Sequence, residues 1–123
     1  MAGIIAAALD NDIGVIGVAP EASLYAAKAL DRTGVGYIST LVAALEWAVD
    51  NEMDVVNMSL GTSANIDALH DACEEAYAAG LVLVASAGNE GDGNAAPNEV
   101  SYPAAYASVI AVAATDEGDA VPW

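Results

Sequence analysis

The sequence predicts an α/β fold in which helices flank a parallel β-sheet. Two runs, residues 81–85 and 109–113, are almost wholly apolar, which is typical of strands covered on both faces. A shorter β-rich run over residues 54–59 precedes them, and segments with helical periodicity lie between the strands. Because strands that alternate with helices favour right-handed crossovers, we expect the strands to run parallel.

Composition limits both the size of the fold and its partners. The chain has 123 residues, 56% of them hydrophobic, which suffices for one domain or part of one. Eighteen acidic residues against two basic ones give a formal net charge of −16, which would repel phosphate groups and anionic lipids. We therefore expect no nucleic-acid partner, no membrane partner and an acidic surface of the halophilic type.

The first 37 residues contain two apolar segments separated by turn-forming residues. Residues 2–9 predict a buried helix or strand, which the turn residues 10–14 end. Alternation over residues 23–30 predicts another strand, and the glycines of residues 34–36 predict an open loop. The opening stretch lacks the basic leading segment of a secretory signal, and no window approaches the roughly 18 apolar residues of a membrane-spanning helix.

Two helices are predicted in the middle of the chain. Apolar residues at helical spacing over residues 41–49 indicate an amphipathic helix with Ser39 as its N-cap. A second helix is predicted over about residues 65–79, with Gly80 as its C-cap. On this helix we expect Cys73 to be a buried small hydrophobe and His70 to have a structural or solvent-facing role, not that of a base.

The candidate site lies where two predicted strands end. Ser59-Leu60-Gly61 follows one strand, and Ser86-Ala87-Gly88-Asn89 follows the next. Ligands of parallel sheets bind beyond the carboxyl ends of the strands. Small residues and glycine leave the backbone there open to main-chain hydrogen bonds with an extended ligand. The pattern therefore predicts a peptide-binding edge.

Several segments resemble the subtilisin-like serine proteases in order and spacing. They are residues 11–20 (NDIGVIGVAP), 54–61 (DVVNMSLG), 87–91 (AGNEG), 102–104 (YPA) and 109–112 (VIAV). The resemblance implies a subtilisin-like three-layer α/β/α peptidase domain, of which residues 1–123 are the central part with both ends truncated. It implies a secreted serine endopeptidase, an extended polypeptide as substrate and a propeptide partner in the full-length protein. It also implies a cis peptide bond before Pro103.

The same resemblance assigns roles to the residues at the sheet edge. Asn89 matches the asparagine whose side-chain amide stabilises the oxyanion of the tetrahedral intermediate. Ser86 and Ser101 stand where alanine and glycine are more familiar in the family, which changes the polarity and depth of the specificity pocket. The segments that match the walls of this pocket are Ser59, Leu60, Gly61, Ser86, Ala87 and Gly88, with Glu90 near its base. Gly34, Val35 and Gly36 match the edge strand that pairs with the substrate backbone.

Two calcium sites are also implied by the resemblance, and no organic cofactor is. The loop over residues 9–15 resembles the tight calcium loop of the family, with further ligands from sequence before Met1. Its ligands would be the carbonyls of Leu9, Ile13 and Val15 and the side chain of Asn11. A solvated acidic turn is the alternative. A weaker cation site would use the carbonyls of Ala104, Tyr106 and Val109.

None of the three catalytic triad residues has a match in the chain. In the family, the histidine lies just before the segment that matches Ala2, the aspartate lies earlier, and the serine follows beyond Trp123. We therefore expect the isolated chain to be inactive. Ser63, although preceded by Gly and Thr, is predicted to be a helix-start residue.

Two other functions can be compared with the pattern. A truncated, non-catalytic module that binds extended peptides is compatible with it. A nucleotide-binding glycine loop over residues 88–93 is not, because the carboxylates of Glu90 and Asp92 would face and repel a phosphate.

Overall fold

The computed structural model describes residues 1–91 and 99–120. Within these residues, six elements follow one another along the chain. They are α1 (Ala2–Ala6), α2 (Ile38–Asp50), β1 (Val55–Met58), α3 (Asp67–Ala78), β2 (Val82–Ser86) and β3 (Val109–Val112). The strands form one sheet in the order β1-β2-β3, and both pairings are parallel. The predicted α/β class, a parallel sheet flanked by helices, is confirmed.

The register places all three strand ends at the same edge of the sheet. Met58 at the end of β1 pairs with Ala85, and Ser86 at the end of β2 pairs with Val112 at the end of β3. Parallel strands all point their carboxyl ends in one direction. The segments that follow β1 and β2 therefore meet at one edge, as the sequence predicts.

The hydrophobic core lies between the sheet and the helices α2 and α3. Leu83 and Ala85 of β2 are fully buried and pack with Leu69 of α3 and Leu45 of α2. Burying each large aliphatic side chain contributes roughly 1.5–3 kcal/mol. Cys73 is also fully buried, as predicted, and burial raises the pKa of its thiol to about 11.

The second face of the sheet is open in the described part of the chain, which differs from the prediction of strands covered on both faces. Val82 in β2 and Ile110 in β3 are about half exposed, whereas Leu83, the residue after Val82, is buried. Alternate residues of a strand point to opposite faces. The helices α2 and α3 thus cover one face, and the apolar residues of the other face lack a covering layer among the described residues.

Helix α3 ends in a Schellman motif, in which two backbone bonds close the last turn. Gly80 donates its N–H to the Tyr77 carbonyl (2.9 Å), and Leu81 donates to the Ala76 carbonyl (3.1 Å). Gly80 has a φ of +99°, which only glycine adopts without a steric cost. The C-cap is Ala79, so Gly80, which was predicted to be the C-cap, lies one residue beyond it.

Helix α2 ends in the same motif without a glycine. Glu52 donates its N–H to the Val49 carbonyl and Met53 donates to the Ala48 carbonyl, both at 3.0 Å. Glu52 has a φ of +53°, so a residue with a Cβ carries the left-handed conformation here. At the other end, the predicted N-cap Ser39 is wrong. The N-cap is Tyr37, because its carbonyl already accepts the first backbone bonds of the helix.

The first 37 residues contain no strand. The strand predicted over residues 23–30 is wrong, because a strand requires a hydrogen-bonded neighbour, and the only backbone bond made there joins Ala29 to Ala27. Residues 2–9 do begin with a helix, but none of the residues in α1 is buried. Three local bonds instead fold residues 17–19 back onto α1, one of them from the Gly17 N–H to the Ala7 carbonyl (3.0 Å).

Two further expectations can be compared with the fold. The Tyr102–Pro103 peptide bond is cis, as implied. No helix in the described ranges is both long and apolar enough to cross a membrane.

Candidate functional site

The three strand ends are tied together by hydrogen bonds just beyond the sheet. Ser86 donates its hydroxyl to the Leu60 carbonyl (3.4 Å), which links the ends of β1 and β2. The Ala87 N–H donates to the Val112 carbonyl (2.9 Å), which links the ends of β2 and β3. The segments predicted to wall a pocket are therefore neighbours in space.

Ser101 lies at the point where these segments meet. It is buried, and its N–H donates to the Ala87 carbonyl (2.7 Å). A Cβ on Gly61 would lie 3.0 Å from the Ser101 Cβ, and a Cβ on Gly88 would lie 2.6 Å from the Ser101 Oγ. Ser101 thus packs tightly against both glycines, and at Gly88 a side chain would also be strained by the φ of +114°.

A carboxylate lies beside these glycines. Glu90 Oε2 accepts hydrogen bonds from the Asn89 N–H (2.8 Å) and from the Ser101 hydroxyl (3.1 Å). It also lies next to Gly88, which has a φ of +114°. The place where the two strand ends meet Ser101 therefore carries a carboxylate, from Glu90, beside the Ser101 hydroxyl.

Asn89 follows Gly88 directly and is exposed at the carboxyl edge of the sheet. Its backbone N–H is held by the Glu90 carboxylate, and Gly88 gives the chain a sharp turn before it. An exposed side-chain amide at this edge can donate a hydrogen bond to a ligand atom.

A separate cleft of about 520 Å³ lies between the 34–36 loop and the segment after β1. Gly34, Val35 and Gly36 form one wall, and residues 59–61 form the opposite wall. The remaining lining is largely apolar and consists of Leu30, Ile38, Leu41, Thr62, Ile66, Leu69 and Tyr102. Residues 59–61 thus line this cleft and also contact Ser86 and Ser101.

The structure divides the predicted site residues into two groups. Residues 34–36 and 59–61 both line the cleft, whereas residues 86–90 lie beside Ser101 and do not line the cleft. Sequence reasoning did not identify the apolar lining of the cleft, such as Leu41 and Leu69, because these residues have the same helical periodicity as core residues. The only signal was their spacing, which does not separate the two roles.

The predicted calcium loop is tightly turned and fully exposed. Asp10 and Asp12 both have positive φ values, of 54° and 57°, and the Asn11 side-chain oxygen accepts the Ile13 N–H (3.1 Å). Within the described ranges, no backbone N–H donates to the carbonyls of Leu9, Ile13 or Val15. Three free carbonyls and one amide oxygen form a donor set of the hard type that calcium prefers.

In the second, weaker cation site, one of the three carbonyl oxygens is already engaged in a backbone hydrogen bond. The Tyr106 carbonyl accepts a hydrogen bond from the Val109 N–H (3.1 Å). The described residues contain no cluster of three or more His, Cys, Asp or Glu side chains that could hold a metal ion. The site at Ala104, Tyr106 and Val109 therefore remains a prediction from resemblance.

The other two polar residues singled out in the sequence, Ser63 and His70, do not line the cleft. The His70 ring packs edge-on against Tyr106, with ring centroids 4.8 Å apart, and its nitrogens lie 3.7 Å and 3.8 Å from the carboxylates of Asp71 and Glu74. Ser63 precedes α3 by four residues and is not a helix-start residue, because Ile66 is the N-cap. That prediction is wrong.

Comparison with known proteins agrees with this architecture. Residues 1–123 match the Subtilase family. The chain is 52% identical over 116 residues to subtilisin DY from Bacillus licheniformis, covering 94% of this chain and 42% of that protein. It is 50% identical over 117 residues to the minor extracellular protease Epr of Bacillus subtilis, covering 95% of this chain and 17% of that protein.

A solved structure, the S41 psychrophilic protease, superposes with a TM-score of 0.86 at 37% identity, covering 94% of this chain and 38% of that one. The chain thus spans less than half the length of these relatives. The match over all of its residues shows that the chain belongs to the subtilase family of serine proteases.

Proposed function

We propose that this chain is a stretch of a secreted serine endopeptidase that binds extended polypeptides along the carboxyl edge of its sheet. The observation that carries the proposal is the convergence of Gly61 and Gly88 on Ser101, directly beside Asn89. Glycines at both strand ends leave main-chain groups open to a peptide, and Asn89 supplies an amide where the carbonyl under attack would lie.

Asn89 would act on the transition state of acyl transfer. The side-chain amide would donate to the oxygen that becomes negative when the peptide carbonyl is attacked. This charge is absent from the ground state, so the interaction lowers the barrier more than it tightens substrate binding. In subtilisin itself, loss of one such donor costs about 10²–10³ in rate.

Two parts of the site would select substrate side chains of different kinds. The cleft of about 520 Å³ has a mainly apolar lining and suits a large hydrophobic side chain. The exposed Glu90 carboxylate beside Ser101 favours a polar or cationic side chain over an anionic one. Residues 34–36 would form backbone hydrogen bonds with the extended substrate at the cleft, as an added strand does in β-augmentation.

The nucleophile and its general base would come from segments outside these 123 residues. On this proposal, residues 1–123 bind and polarise the substrate but form no acyl-enzyme, because neither Ser63 nor His70 lines the cleft. In the full-length protein, a propeptide would occupy the same edge before maturation.

The test is hydrolysis of an internally quenched peptide by the full-length protein. We expect cleavage that an active-site-directed fluorophosphonate abolishes, with the label bound to a serine outside residues 1–123. Cleavage that resists fluorophosphonate but is abolished by a zinc chelator would contradict the proposal. The non-catalytic module, which the cleft in this chain also supports, predicts saturable peptide binding with no cleavage.

We also propose that the loop over residues 9–15 binds a calcium ion through Asn11 and the carbonyls of Leu9, Ile13 and Val15. The free carbonyls and the tight turn support it. In the full-length protein, calcium should raise the thermal unfolding midpoint of the wild type, and Asn11→Ala should reduce this increase. Asn65→Ala, outside the loop, is the matched control. An equal calcium response in all three proteins would contradict the site.

A further inference from the structure

A second acidic residue, Asp31, organises the loop that forms one wall of the cleft. Its carboxylate Oδ1 accepts three hydrogen bonds, from the Thr33 N–H (2.8 Å), the Thr33 hydroxyl (2.6 Å) and the Val35 N–H (3.1 Å). These bonds favour the charged form and lower the pKa of the Asp31 carboxyl.

The backbone of Asp31 closes the same loop. Its N–H donates to the Val35 carbonyl (2.8 Å), and its carbonyl accepts the Gly34 N–H (3.2 Å). Asp31 therefore bonds to each of the three residues that follow Arg32 in the loop. No other side chain in residues 31–36 makes as many hydrogen bonds within the described structure.

The loop has little other support. Val35 is two-thirds exposed, and nothing lies within 4 Å of the position that a Cβ on Gly34 would take. Only Gly36 is closely packed, because a Cβ there would collide with the Ala29 carbonyl. Without packing to hold the wall, its shape depends on local hydrogen bonds, and most of these involve Asp31.

We infer that Asp31 is a positioning residue that holds Gly34, Val35 and Gly36 in the conformation that receives an extended peptide at the cleft. This inference rests on the proposed function, in which residues 34–36 pair with the substrate backbone. Asp31 does not line the cleft, so it acts through the backbone of the loop.

The test compares two substrates and three variants in the full-length protein. A long peptide with a large apolar residue reaches the cleft, whereas a single-residue chromogenic ester does not. Asp31→Ala should raise KM for the long peptide about fivefold, with kcat and the ester reaction unchanged. Asp31→Asn should stay near wild type, because the amide oxygen accepts the same bonds. Thr33→Val removes one of the three hydrogen bonds, so its KM for the long peptide should lie between those of the wild type and Asp31→Ala.

The outcomes separate this inference from the proposed function. If the wild type cleaves both substrates and Asp31→Ala has an unchanged KM for the long peptide, the positioning role is overturned. A loss of kcat on both substrates, or an Asp31→Asn protein as impaired as Asp31→Ala, also overturns it. If the wild type cleaves neither substrate, the proposed function fails, and the inference fails with it. Should Asp31→Ala not fold, Thr33→Val decides the question by the same KM comparison.

Discussion

Residues 1–37 and the described residues from 38 to 112 are held together in different ways. Every residue of the hydrophobic core comes from the second region, and its sheet and helices exclude water from Leu69, Leu83 and Cys73. The first region contributes nothing to the core. Many of its large apolar side chains, including Ile13 and Val18, are exposed, and its shape comes from backbone hydrogen bonds made within the region.

The two regions also contribute differently to the proposed site. The packed region supplies the rigid strand ends with Gly61, Gly88 and Asn89, where a donor must be held in place. The first region supplies the loop wall at residues 34–36, which is held by Asp31 and is more easily reshaped. Rigid elements suit a group that must be preorganised, and loops suit the recognition of variable side chains. Substitutions should therefore have global effects in one region and local effects in the other.

The largest effect is expected in the centre of the sheet. Leu83→Ala removes a fully buried side chain from β2 and leaves a cavity between two helices and the sheet. The free energy of unfolding should fall by about 3 kcal/mol, measured by urea denaturation of the full-length protein. Asp71→Ala, whose side chain is largely exposed on α3, is the control and should change it by less than about 0.5 kcal/mol. Equal effects would mean that β2 is not the core of the packed region.

A smaller and more local effect is expected at Gly17. A Cβ there would collide with the backbone of Ala6 and Ala7, so Gly17→Ala should break the bonds that hold residues 17–19 against α1, at a cost of about 1–2 kcal/mol. Hydrogen exchange should become faster at the Gly17 and Val18 amides and stay unchanged in β2. Faster exchange throughout β2 would show that the two regions are coupled and would contradict a purely local effect in residues 1–37.

The smallest effects are expected at the two helix ends within the packed region. Gly80→Ala places a Cβ at a φ of +99° and should destabilise the protein by about 1 kcal/mol. Glu52→Gly relieves the same conformation at the end of α2 and should stabilise it by about 0.5 kcal/mol, since the added chain entropy offsets part of the gain. Thermal unfolding midpoints measure both. If both substitutions shift the unfolding midpoint in the same direction, the two helices do not end in the same motif.

The sequence predicted the packed region better than the first region. Continuous apolar runs indicate β2 and β3, and helical spacing indicates α2 and α3, since each of these elements contributes buried residues to the core. Residues 23–30 were predicted as a strand from alternation alone, but no alternation pattern says whether a hydrogen-bonded neighbour is present. The prediction that the strands are covered on both faces failed for a similar reason. An apolar side chain indicates a preference for burial, but it does not show whether another element of the chain covers it.

The candidate site was also predicted in part. Resemblance placed residues 86–90 and 59–61 together, and the parallel register confirms that they meet. The contact of Ser101 with both glycines joins positions that are 13 and 40 residues apart, a distance that local patterns do not encode. The proposed role of Asp31 was missed, because an aspartate shortly before a glycine (Asp31-Arg32-Thr33-Gly34) is a common turn, and its importance depends on the cleft beside it.

The central claim is that the exposed amide of Asn89 stabilises charge in the transition state, and it is tested most directly by the kinetics of Asn89→Ala. In the full-length protein, we predict that kcat on a peptide substrate falls by about 10²–10³ while KM changes by less than about twofold. The Asn65→Ala protein should match the wild type. If kcat of Asn89→Ala stays within a factor of three of the wild type, or if the whole loss appears in KM, Asn89 is not the oxyanion donor.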